Sequence, residues 1–240
     1  MLAKMNPEQG IRNNLLRIQE KILSAQETSE FSHPITIVGV TKTHPPEIIT
    51  AAINAGLTNI GENRVQEALD KFNKLQVVNR ITKHMIGHLQ SNKINKAVET
   101  FDRIDTIDSK KLANKINKRA VQLNKTIPAL LEINISGEKQ KYGFPPEEID
   151  DILSCLEKEN LKIEGLMTIG PLTENQQDSR ISFSRLRLLL KNINGQLPEG
   201  HTKLKTLSMG MSNDYLIGVK EGSTMVRIGT AIFGPRGTHI

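Results

Sequence analysis

Along the chain, short β-branched apolar runs alternate with stretches whose apolar residues recur at helical spacing. The runs fall at 35–41, 58–61, 84–87, 103–107, 129–135, 163–169, 205–208 and 225–233 and are predicted as eight strands. Helices are predicted near 46–55, 63–75, 90–99, 109–124, 146–159, 175–195 and 212–220, with another over 7–27 ahead of the first strand. Strand followed by helix, repeated, is the pattern of βαβ units around a parallel sheet. Eight units of about 25 residues fill 35–233 and close a (β/α)8 TIM barrel better than they make an open sheet. A single domain over 1–240 is expected, carrying an extra N-terminal helix.

Local signals agree with this division. Ser109 is placed to cap the helix of Lys110–Leu123, and Gly56 to close the one ending at Ala55. Pro45 and Pro46 stand at a helix start, as do Pro145 and Pro146 ahead of Glu147 and Glu148. No Pro/Gly-rich linker or low-complexity tract interrupts the series.

Composition narrows the function classes. The chain of 240 residues is 37% hydrophobic and 24% charged, ordinary for a globular protein and too apolar for wholesale disorder. A single cysteine excludes an intrachain disulfide and any multi-cysteine metal centre, which suits a reducing compartment. The stretch from Met1 to Arg17 does not read as a signal peptide, and no apolar run approaches a membrane span, so a cytoplasmic location is expected. The net charge is +6, with six basic residues and no acid between Lys110 and Lys125. Leu112, Ile116, Ala120 and Leu123 form an apolar stripe beside them, and eight aromatics leave little to stack bases on. A solvated helix face is therefore expected there, and no nucleic-acid partner.

Chemistry on such a barrel collects at the C-terminal ends of the strands. The first run ends Val38-Gly39-Val40-Thr41-Lys42, and alternation puts Lys42 on the side of Val38 and Val40. If those valines fill the barrel, the Lys42 amine stands at its mouth, partly desolvated and usable as a nucleophile toward a carbonyl. A lysine at a strand end can instead snorkel to the surface. The other end of the chain favours the first reading. The loops after strands seven and eight are the usual phosphate site of this barrel, and here they offer Gly210, Ser212, Gly229 and Thr230. An amine facing a phosphate cradle suggests a phosphorylated aldehyde held as a Schiff base. His84 and His88 lie on a strand and its loop, so no metal pair is expected. Asp102, Asp105 and Asp108 are expected to cap or solvate strand four and Cys155 to be a buried structural thiol; Glu62 and Glu67 have the chemistry to form acid–base pairs, the second reading as ordinary helix surface.

Six motifs make the sequence similar to a known family. They are Val38-Gly39-Val40-Thr41-Lys42, Ile60-Gly61-Glu62-Asn63-Arg64-Val65-Gln66-Glu67, and Ile86-Gly87-His88-Leu89-Gln90-Ser91-Asn92-Lys93. Gly165-Leu166-Met167, Leu207-Ser208-Met209-Gly210-Met211-Ser212 and Val226-Arg227-Ile228-Gly229-Thr230-Ala231-Ile232-Phe233-Gly234 complete the set. The chain resembles the pyridoxal-phosphate homeostasis proteins, relatives of the barrel domain of alanine racemase. The resemblance implies a fold-type-III barrel in which Lys42 forms the covalent link to pyridoxal 5′-phosphate (PLP). It further implies Ser212, Gly229 and Thr230 as phosphate contacts, Arg227 facing the pyridine nitrogen, and Asn63 as a polar contact. Two positions depart from the family pattern: Lys83-His84-Met85, where an aromatic is usual, and Tyr142, where a small residue is common.

The resemblance implies a carrier of PLP in cellular vitamin B6 homeostasis, without efficient catalysis and with no catalytic residues of its own. PLP and other B6 vitamers are the implied ligands and apo PLP-dependent enzymes the implied recipients; a monomer without membrane association is expected. The alternative is a PLP-dependent amino-acid racemase. That reaction needs a second acid/base opposite the lysine, in alanine racemase a tyrosine from a further domain of the partner subunit. The chain continues only six residues past Gly234, which favours the carrier.

Overall fold

The computed structural model describes residues 6–138, 140–173 and 175–235. Eight parallel strands run β1 (Thr36–Val40), β2 (Asn59–Glu62), β3 (Thr82–Met85), β4 (Arg103–Ile107), β5 (Ile127–Glu132), β6 (Leu161–Met167), β7 (Thr206–Met211) and β8 (Met225–Ile228). Each pairs with the next, and β8 returns to β1 with Thr36 opposite Met225 and Val38 opposite Arg227, so the barrel is closed. The helices are α1 (Pro7–Glu27), α2 (Pro46–Asn54), α3 (Val65–Phe72), α4 (Ile94–Thr100), α5 (Lys110–Gln122), α6 (Ile149–Leu156), α7 (Gln176–Gln196), α8 (Tyr215–Lys220) and α9 (Thr230–Phe233).

The main core lies between strands and helices, because a barrel strand turns one face to the helix ring and the other to a narrow interior. Helix α1 buries Ile11, Leu15, Ile18, Ile22 and Ala25, spaced three and four apart. It packs on α2, α8 and α9 and so covers the seam where the barrel closes, with Asn14 Nδ2 donating to the Ile232 carbonyl at 2.9 Å. Ser109 caps α5 by accepting from the Leu112 amide, and Gly56 leaves α2 with φ +105°. The basic stretch lies on the outer face of α5, where Arg119 pairs with Glu99 and Lys110 with Asp151.

Several predicted boundaries shift. The run 225–233 is strand only to Ile228; Gly229 then turns the chain and α9 begins, with the Ile232 amide donating to the Gly229 carbonyl at 2.9 Å. A continuous apolar run carries no period by which to tell strand from helix. Helix α6 starts at Ile149 with Asp150 and Asp151 in its first turn, so Pro145 and Pro146 lie in the preceding loop. Strand β7 is longer than expected and carries the chain to Met211.

The interior is partly polar. Val38, Leu130, Met167 and Met225 form one small apolar cluster. Toward the N-terminal strand ends a chain of polar contacts takes over. His84 meets Asp105 Oδ2 through Nδ1 at 2.7 Å and Asn59 Oδ1 through Nε2 at 3.0 Å. Arg103 donates to Asp105 Oδ1 at 2.7 Å and to Glu164 at 3.0 Å. Asp105 is therefore no cap of β4; it is fully buried inside the barrel. His84, one of the positions that depart from the family pattern, is built into this interior network.

The partners of Asp105 outweigh its burial and hold the carboxyl below its ordinary 3.8; the imidazole of His84 leads the pull and Arg103 adds to it. A depressed folded value means that the stabilisation is complete above the unfolded value and is lost as pH falls through the folded one. Asp105→Asn is expected to flatten the loss of stability between about pH 5 and pH 2, measured by urea unfolding across that range.

Candidate functional site

Lys42, Ser212, Arg227, Gly229 and Thr230, distant in sequence, line one cavity of about 640 Å³ at the C-terminal face of the barrel. Val40, Met211 and Asp214 complete much of its wall. The volume is that of a small-cofactor pocket. A groove of about 710 Å³ at the opposite end, along the starts of β6 and β7, contains none of these residues.

Strand β1 ends at Val40, with Val38 inside the barrel, and Lys42 stands in the turn beyond. Thr43, the next residue, has φ +68°, rare for a β-branched side chain. From β7, the Ser212 hydroxyl oxygen accepts from the Gly229 amide at 3.2 Å and the Ala231 amide at 3.4 Å. Those two amides occupy its lone pairs, which leaves the O–H as a donor. Gly210, at φ +103°, lets the chain pass Tyr215: a Cβ there would lie 2.8 Å from the Tyr215 Cα. Gly229 is not needed for close packing in this way, since a Cβ would meet the Val40 carbonyl only at 3.5 Å.

Arg227 is the electrostatic centre. It is buried, Nη1 donating to the Ser208 carbonyl at 2.9 Å and to Ser208 Oγ at 2.6 Å, Nη2 to the Thr168 carbonyl at 2.8 Å. Those acceptors are neutral, so a desolvated cation is held by dipoles beside the cavity. Burial pulls its pKa below the ordinary guanidinium value, while Glu132, Asp105 and Asp214 act on it at longer range in the opposite sense.

Asn63 does not line this cavity. Its Oδ1 is buried and without a hydrogen-bond partner in the structure, a polar atom that suits a ligand at the end of β2. On the cavity wall itself, the Ser212 donor and the buried Arg227 cation fit a group carrying phosphate and a polar ring.

The residues that sequence reasoning did not single out are acids. Glu132 ends β5, and burial pushes its carboxyl up to about 7 although Arg227 pulls the other way. The signal was a lone charge inside Leu130-Leu131-Glu132-Ile133. Asp214 accepts from the Met211 amide at 2.6 Å, and burial raises its pKa. Beside Glu132, a cavity of about 180 Å³ is lined by Lys141, Tyr142 and Ile169. There Tyr142 stacks on His88 with ring centres 3.6 Å apart, and His88 Nδ1 meets Asp108 Oδ2 at 2.9 Å. Tyr215, by contrast, is buried in the helix-side core. Met167 is an interior wall residue, whereas Met209 packs in that outer core. Among the described residues no group of three or more His, Cys, Asp or Glu is placed to hold a metal ion, and no helix is long and apolar enough to cross a membrane.

Barrel and site together define the class. A family model described as "Alanine racemase, N-terminal domain" matches residues 11–237. The chain is 40% identical over 224 residues to the pyridoxal phosphate homeostasis protein of Aquifex aeolicus, covering 92% of this chain and 96% of that one. The Escherichia coli K12 protein of the same name is 36% identical over 231 residues, covering 94% and 97%. This chain belongs to the pyridoxal phosphate homeostasis protein family. Among solved structures, PipY of Synechococcus elongatus with PLP bound superposes with TM-score 0.83 at 32% identity, over 93% of this chain and all of that one. An alanine racemase of Clostridium difficile shares the fold, with TM-score 0.70 and 17% identity over 96% of this chain and 58% of that one.

Cys155 lies in the core on α6, and burial pushes its thiol from 9.0 up to about 11. At pH 8 that lowers the thiolate fraction about 100-fold. Native protein is expected to react with a thiol reagent at least about 100-fold more slowly than unfolded protein, followed by chromophore release.

Proposed function

We propose that this chain binds pyridoxal 5′-phosphate at the C-terminal face of the barrel, holds it covalently through Lys42, and serves vitamin B6 homeostasis in the cytoplasm as a carrier. The observation that carries this reading is the convergence of Lys42, Ser212 and the buried Arg227 on one cavity. Bound PLP would supply an aldehyde, an electrophile toward an amine. The chain's own groups supply the rest. Lys42 gives the amine; Ser212, Gly229 and Thr230 take the phosphate end; Arg227 takes the ring nitrogen; Asn63 offers its unpartnered amide oxygen. A cation at the ring nitrogen disfavours protonation there and weakens the ring as an electron sink, which suits holding over turnover. Other B6 vitamers compete for the pocket, apo PLP-dependent enzymes receive the cofactor, and a monomer suffices, without nucleic acid or membrane.

Purified protein loaded with PLP is expected to be yellow. Borohydride reduction should place the pyridoxyl mass on the peptide containing Lys42, Lys42→Ala should abolish that label, and label elsewhere would refute the assignment.

One feature favours a second reading, an amino-acid racemase. Glu132, with its carboxyl raised to about 7, is a buried acid at the end of β5 that could exchange a proton near neutral pH. Incubation of loaded protein with L- and D-alanine and serine is expected to leave both enantiomers unchanged by chiral chromatography. Turnover at enzymatic rates, lost in Glu132→Gln, would replace the carrier by the racemase.

A further inference from the structure

The turn that carries Lys42 is gripped from below by an ionic tripod centred on a buried lysine. Lys71 of α3 is 7% exposed, and all three of its N–H donors have acceptors. They go to the Thr41 carbonyl at 2.8 Å, Glu62 Oε1 at 2.9 Å and Glu67 Oε1 at 2.7 Å. The other connections return to the same turn: Thr41 Oγ1 donates to Glu62 Oε1 at 2.7 Å, and the Thr43 amide donates to Glu67 Oε1 at 2.6 Å. One cluster thus holds the carbonyl before Lys42 and the amide after it. At the second anchor Thr43 has φ +68°, a conformation that persists only where its surroundings over-determine it. The cluster is no surface pairing, since Glu62 is fully buried and one of its oxygens, Oε2, has no hydrogen-bond partner.

We propose that Lys71, Glu62 and Glu67 are positioning residues for Lys42: they hold its turn so that the amine is aimed into the cavity before the aldehyde arrives. The inference rests on Lys42 being the PLP-bearing residue and adds what prepares it. Pre-orientation of the reacting amine should act on the rate of capture, because a nucleophile that must search for its geometry reacts more slowly. Glu67 is the residue through which the clamp can be opened gently. It is partly exposed, and its removal leaves Lys71 with Glu62 and Thr41.

The test is stopped-flow capture of PLP, read as growth of the imine absorbance, with the dissociation constant and thermal midpoint measured on each protein. Glu67→Ala is expected to slow capture about tenfold or more. Glu67→Gln keeps an oxygen for the Thr43 amide and is expected to recover to within about threefold of wild type, as a neutral acceptor is weaker than a charged one. Lys71→Met, if it folds, should be slower still. If it does not fold, the two Glu67 variants decide alone. Folded Glu67→Ala that captures at the wild-type rate overturns the clamp, as does a lowered thermal midpoint with capture unchanged. Borohydride labelling of wild type is run beside these measurements: label away from Lys42 overturns the underlying assignment, whereas label on Lys42 with unaltered variant rates overturns the clamp only.

Discussion

Pairing of β8 with β1, from Thr36 opposite Met225 to Gly39 opposite Ile228, is the constraint on which the rest depends. It joins the first strand of the barrel to the last and brings Lys42 to one cavity with Arg227, Gly229 and Thr230, residues separated by nearly the whole chain. Without closure the amine and the loops after β7 and β8 would lie at opposite edges of an open sheet. Helix α1 protects this joint by burying one apolar face on α2, α8 and α9, which gives the extra helix a reason to be there.

Closure also decides where charge can sit. A narrow barrel interior excludes water, so each ionisable group inside must find a partner or shift its protonation. Asp105 illustrates the first outcome, held ionised between His84 and Arg103. Glu132 illustrates the second, its carboxyl pushed up to about 7 by burial. Arg227, which pairs with no carboxylate among the described residues, rests on the dipoles of Ser208 and Thr168. The Lys71 tripod, on the helix side of β1 and β2, follows the rule of the first group, with every donor matched. Asp105, Arg227 and Lys71 are tolerated in a dry place because their neighbours are fixed in advance, Glu132 because its carboxyl takes up a proton more readily.

Much of the fold was legible because its signals are local. Alternating strand and helix periods announced eight units, and Ser109 and Gly56 marked helix ends where they stand. Boundaries failed where one apolar run served two elements, as at 225–233, where Gly229 divides β8 from α9. Lys42 and the loops after β7 and β8 could be expected to meet at one cavity because a barrel's chemistry gathers at strand ends. Asp105 was misread because a carboxylate beside a strand looks the same in sequence whether it caps an end or enters the interior. Glu62 and Glu67 were legible as acids able to pair, and both pair with Lys71, but the Thr43 amide that joins Glu67 to the Lys42 turn comes from another element and left no local signal.

The sequence by itself determined the number and order of units, the class of barrel, and which side chains have the chemistry to hold a phosphorylated aldehyde. These follow from spacing and residue type, which are properties of the chain alone. Only the tertiary structure decided which polar groups lost their water, and so which carboxyls are raised, lowered or locked. It alone decided that Thr41 and Thr43 are tied through one buried lysine. Desolvation and cross-element hydrogen bonds arise when distant segments meet, and no local pattern encodes the distance between them.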